Sequence, residues 1–94
     1  MGLTEGKYKI RLYKKARKDK VKIASKPVLK RKVAELLKIL EQDPFKIPPR
    51  FKKLDGDLKG YYSRRINKQH RLVYMVDREN REVKIASMWS HYSD

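Results

Sequence analysis

Cysteine is absent from this chain of 94 residues. That excludes a disulfide framework and a thiolate zinc site. No apolar run approaches the about 20 residues of a membrane-spanning helix, and the N-terminus lacks the apolar stretch of a signal peptide, so a cytoplasmic protein with no membrane partner is expected. The two histidines, His70 and His91, are far apart in sequence and have no carboxylate at ligand spacing. No metal site and no cofactor are expected. Acidic side chains are scarce, 11 against 26 lysines and arginines. Internal repeats, low-complexity tails and a second domain are also missing, which leaves one small domain over residues 1–94.

What remains is a net charge of +15, extreme for a domain of this size, and it points to polyanionic partners: RNA, DNA, a ribosome or an acidic protein. The basic side chains concentrate in two sectors. Residues 1–32 carry 13 basic and 2 acidic groups, and residues 50–71 carry 8 and 2. Hydrophobic content is 39%, below the usual range of roughly 45–50%. The apolar residues nevertheless fall in periodic clusters, as in a folded chain with a modest core and a heavily charged surface.

Tyr8, Ile10 and Leu12 alternate with Lys7, Lys9 and Arg11, the period of a half-buried strand. Residues 14–24 carry a thin apolar stripe (Ala16, Val21, Ile23 and Ala24) that predicts a helix. A second helix is predicted from Ser25 as N-cap, through Pro27 in the first turn and Val33, Leu36, Leu37 and Leu40, to Asp43 before Pro44. The proline- and glycine-rich stretch from Asp43 to Gly60 reads as a long ordered loop, a kind that usually serves function. Strands follow over about 61–66, 69–77 and 82–90, joined by turns at Asn67-Lys68 and at Arg78 to Arg81. The order β-α-α-β-β-β predicts an α+β domain, an antiparallel meander with both helices on one face and the other face open to a ligand.

Into those strands the chain places Tyr61-Tyr62-Ser63-Arg64-Arg65-Ile66, His70-Arg71-Leu72-Val73-Tyr74 and Met88-Trp89-Ser90-His91-Tyr92. Alternate residues of a strand share a face, so such a segment aligns arginines for bidentate phosphate binding, aromatics for stacking and a histidine able to move a proton near neutral pH. His70, beside a turn, is expected to be structural, and Trp89, Tyr61, Tyr62 and Tyr74 to pack within the sheet, with a place at the groove rim left open for Tyr61 or Tyr62.

Asp43-Pro44-Phe45, Pro48-Pro49, Leu54 to Leu58, GYYSRRIN, HRLVY, VKI and MWSHY, in this order, resemble the YoeB/Txe branch of the RelE/ParE toxin superfamily over nearly the whole chain. The resemblance implies a RelE-like toxin that cuts mRNA in the ribosomal A site. It also implies neutralisation by an antitoxin of the YefM/Axe type and, through that complex, contact with operator DNA. The implied chemistry is metal-free attack of a ribose 2′-OH on the adjacent phosphorus. Matched by motif, Arg71 would stabilise the transition-state phosphate, Arg65 would hold the substrate phosphate, His91 would be the general acid and Tyr92 would position the substrate. Arg64, Lys59 and Lys68 would add RNA contacts. Where that branch commonly carries a glutamate as general base, this chain reads Phe51-Lys52-Lys53-Leu54. Three readings stay open: a slower nuclease, a site using Lys52 or Lys53 as base or phosphate clamp, and a catalytically inactive ribosome- or RNA-binding relative. A ParE-like gyrase poison ranks below them, because that branch is not expected to carry both HRLVY and WSHY.

Overall fold

The computed structural model describes residues 7–90, with the Ser90 side chain excepted. Strand β1 (Lys9–Leu12) leads into helix α1 (Lys14–Ala24) and helix α2 (Pro27–Gln42). Strands β2 (Phe51–Lys53), β3 (Tyr62–Arg65), β4 (Arg71–Asp77) and β5 (Glu82–Ser90) follow, with a short 3-10 turn at Gly56–Leu58. They form one five-stranded sheet in the order β1-β5-β4-β3-β2.

Two features depart from the expected meander. Strand β1 pairs parallel to β5, with Lys9 opposite Glu82 and Leu12 opposite Ile85, so the sheet is mixed. The helices carry the chain from β1 at one edge of the sheet to β2 at the other, and the strands then return to β5 beside β1, so the parallel partners are joined by the long connection that such pairing requires. The stretch expected as loop also contains β2, an added antiparallel edge strand whose Phe51, Lys52 and Lys53 face Arg64, Ser63 and Tyr62.

Both helices cover one face of the sheet. Ala16 and Ile23 of α1 and Leu29, Val33, Leu36 and Leu40 of α2 are buried against Leu72, Tyr74, Val83, Ile85 and Met88. Each fully buried aliphatic side chain of this kind contributes about 2 kcal/mol. Ser25 is not the N-cap of α2 but closes α1, its hydroxyl donating to the Lys22 carbonyl at 3.1 Å. Lys26 takes the N-cap position instead, and Pro27 starts the helix, where its missing N–H costs nothing.

Strand β5 carries irregularities opposite β4: Arg71 pairs with Ser90, Val73 with Ser87 and Tyr74 with Ile85. Extra residues of this type re-aim side chains and leave a ladder donor unpaired. The Met88 N–H finds its acceptor outside the ladder, in the buried Asp19 carboxylate of α1 at 2.9 Å. Lys15 Nζ neutralises that carboxylate, 2.9 Å from both oxygens.

Under the β2–β3 end of the sheet the helices give way to the proline-rich segment. Arg64 is fully buried there. Its guanidinium donates to the Pro44 carbonyl at 2.9 Å, to the Pro49 carbonyl and to Tyr74 Oη at 3.1 Å. Phe45, Phe51 and Tyr62 meet edge to face around it, with ring centroids 5.4–5.9 Å apart. Tyr74 Oη in turn donates to the Pro44 carbonyl at 3.1 Å. Burial pushes the Tyr74 phenol above its usual range, although the neighbouring Arg64 charge pulls the other way.

Candidate functional site

The face opposite the helices carries two cross-strand rows. In one, Lys52 of β2 stands opposite Ser63 of β3, which stands opposite Val73 of β4, which pairs with Ser87 of β5. In the other, Arg65 stands opposite Arg71, and Arg71 opposite Ser90. Because strand side chains alternate between faces, residues directly opposite one another point the same way. Arg50, two residues before Lys52, joins this face. Of these, Arg50, Lys52, Ser63, Arg65 and Arg71, together with Pro49 and Phe51, line a cleft of about 480 Å³.

Four cations converge there, and no carboxylate is among the described residues that line it. Like charges directly opposite on neighbouring strands repel, and an anion lying between Arg65 and Arg71 would be held by both. At the floor, Ser63 is 1% exposed, and its hydroxyl has no hydrogen-bond partner among the described residues.

Several expected site residues fall elsewhere. Arg64 is the main correction: a buried guanidinium holding two proline carbonyls cannot reach RNA, and its place is in the scaffold. Lys53 alternates away from Lys52 and, with Lys59, borders a separate hollow that includes Asp55, Gly60 and Tyr61. Only Lys52 of the expected lysine pair lines the cleft. Lys68 is exposed in the β3–β4 turn, outside the cleft. His91 and Tyr92 lie outside the described residues.

His70 is structural, as expected. Its ring is buried 4.1 Å from the Trp89 ring, and its Nδ1 donates to Asn67 Oδ1 at 3.1 Å, an oxygen that also accepts the backbone N–H groups of Gln69 and His70. A broader groove of about 770 Å³ lies between this turn and the start of α2, lined by Lys26, Leu29, Lys32 and Trp89 among others. It is larger than the arginine cleft, but it lacks paired guanidinium groups, and two lysines already lie against its Trp89 ring, 5.8 and 5.9 Å from the centroid. Arg50 and Ser63 were missed from sequence. The signal for Arg50 was available, since its spacing of two from Lys52 puts both on one face of an extended segment.

Residues 11–92 match the family model described as YoeB-like toxin of bacterial type II toxin–antitoxin systems. The chain belongs to this family. A YoeB toxin from Synechocystis sp. is 42% identical over 67 residues, which cover 71% of this chain and 74% of the relative. Among solved structures, the YoeB–YefM complex from Staphylococcus aureus superposes with a TM-score of 0.78 at 37% identity, covering 90% of this chain and 98% of the other. A YoeB/ParE toxin from Agrobacterium tumefaciens superposes with a TM-score of 0.82 at 26% identity, covering 89% and 99%. The α+β fold of this YoeB-like toxin is therefore that of the RelE/YoeB group. No helix among the described residues is long and apolar enough to cross a membrane.

Proposed function

We propose that this toxin is a ribosome-dependent mRNA endonuclease whose substrate phosphate binds between Arg65 and Arg71. The observation that carries the reading is the convergence of four cations, two of them cross-strand arginines, on a cleft with no carboxylate among the described residues that line it. In the proposed reaction the ribose 2′-OH attacks the adjacent phosphorus, the P–O5′ bond breaks and a 2′,3′-cyclic phosphate remains. Arg71 stabilises the charge that grows on the phosphoryl oxygens, and Arg65 holds the phosphate in line. His91, one residue beyond the partner of Arg71, donates a proton to the departing 5′ oxygen, and Tyr92 positions the substrate.

The proton on the 2′-OH needs an acceptor, and the only cleft residue at the position of the branch's glutamate is Lys52. A lysine there serves as phosphate clamp or, when neutral, as base. A catalytically inactive RNA binder is the second reading, favoured by the lack of a carboxylate among the described residues that line the cleft. An antitoxin of the YefM type is the proposed partner, with operator DNA reached through that complex, supported by the Staphylococcus aureus relative solved as a YoeB–YefM complex.

Single-turnover cleavage of ribosome-bound message by the parent, Lys52→Glu and Lys52→Ala tests these roles. A clamp or base at Lys52 predicts that both substitutions slow cleavage. A faster Lys52→Glu variant would instead mean that the site works best with a carboxylate base. No cleavage by any of the three, with intact ribosome binding, refutes the nuclease and leaves the binder.

A further inference from the structure

Ser63 carries the one hydroxyl among the described residues that line the cleft, and the proposed reaction leaves it unused. Its hydroxyl is buried yet unbonded among the described residues, an arrangement that disfavours the folded state unless something completes it. The neighbours on its own row are Lys52 and Val73. Val73 is 3% exposed and offers only methyl groups. The other polar groups lining the cleft, Arg50, Lys52, Arg65 and Arg71, are all donors without acceptor atoms. A hydroxyl set among cations is matched by an incoming anion, to which it can donate while the cations balance the charge.

We propose that the Ser63 hydroxyl is a phosphate ligand, donating its proton to a non-bridging oxygen of the RNA phosphate held by Arg65 and Arg71. The inference rests on the reading of this cleft as the phosphate site. It adds a neutral, short and rigid contact to flexible cationic ones. A two-atom side chain on the middle of a three-strand segment has little freedom to lose, so the donor needs no ordering of its own once the longer cleft side chains part over it to admit the phosphate. It also explains why the fold tolerates an unbonded buried hydroxyl: the partner belongs to the ligand.

The test uses inorganic phosphate as probe, so that it does not depend on cleavage. Binding is followed through the backbone amide resonances of Ser63, Arg65 and Arg71 in the parent, Ser63→Ala and Ser63→Thr. Thermal melting of the same proteins is recorded without phosphate. Ser63→Ala is expected to melt no lower than the parent, because it removes an unsatisfied polar atom, and to bind phosphate about tenfold more weakly at these amides. Ser63→Thr keeps the hydroxyl and is expected to bind more tightly than Ser63→Ala. Equal phosphate affinity of parent and Ser63→Ala overturns the proposal. A lower melting temperature for Ser63→Ala in phosphate-free buffer overturns it too, since the hydroxyl would then already be bonded within the fold. A parent that fails to cleave message, but shows the phosphate difference, sinks the nuclease reading while upholding Ser63 as ligand.

Discussion

Replacing Arg64 with alanine separates the scaffold from the cleft, because the neighbouring Arg65 serves the other face. The Arg64 guanidinium makes three hydrogen bonds, and their loss is unequal. The Pro44 carbonyl keeps a donor, since Tyr74 Oη–H also reaches it. The Pro49 carbonyl and the acceptor side of Tyr74 Oη lose theirs with no replacement nearby. Two bonds from a charged donor amount to about 3–6 kcal/mol, and relief from burying an uncompensated cation offsets part of that. A net loss of about 3 kcal/mol is expected. For a domain of this size, each kcal/mol moves the melting temperature by about 4–8 °C, so Arg64→Ala should melt at least about 12 °C below the parent. Arg65→Ala should melt within about 3 °C of it, or slightly above, as an exposed substitution that relieves repulsion with Arg71. Circular dichroism melts of both variants decide the matter. If Arg64→Ala melts with the parent while losing RNA affinity, Arg64 is a ligand after all and the correction drawn from its burial is wrong.

Arg71→Ala is expected to slow single-turnover cleavage of ribosome-bound message by on the order of 100-fold, the scale of losing one transition-state charge stabiliser, with the melting temperature nearly unchanged. A rate equal to that of the parent would remove Arg71 from the reaction. Alkaline pH should weaken the fold through Tyr74: its folded pKa is raised, so its contribution is complete below about pH 10 and fades as pH climbs through the folded value. The urea midpoint of the parent should therefore fall more steeply between about pH 9 and 11 than that of Tyr74→Phe, and parallel curves for the two proteins would contradict it.

Much of the architecture was legible because it rests on local periodicity. The apolar spacing from Val33 to Leu40, the alternation through Ile10 and Leu12, and the β-rich runs that became β3, β4 and β5 each carried their own signal. Strand β2 did not: Phe51-Lys52-Lys53 is too short to show a period, and it becomes a strand only because the edge of β3 accepts it. The parallel setting of β1 was hidden for a similar reason, since pairing across more than seventy residues leaves no trace in either partner alone. Arg64 and Arg65 are chemically identical neighbours, and only the orientation of β3 assigns one to the interior and the other to the cleft. The pairing of Arg65 with Arg71 could be anticipated from the short turn between their strands. Ser63 could not, because a serine in a strand announces nothing until its burial and missing partner are seen.

The edge position of β2 has an evolutionary consequence. Arg65 and Arg71 sit on strands paired on both sides, where a change propagates into the sheet. Lys52 sits at the centre of a three-residue strand with only one neighbour, exposed at the rim of the cleft. Of the cleft's charged strand positions it is the one where acid, base or neutral side chains can be exchanged with the least disturbance to folding. A lineage built on this sheet can therefore change the charge at this one position while the Arg65–Arg71 pair stays fixed. Lys52, to which the proposed reaction gives the task of base or phosphate clamp, thus falls where the architecture leaves the most room for exchange.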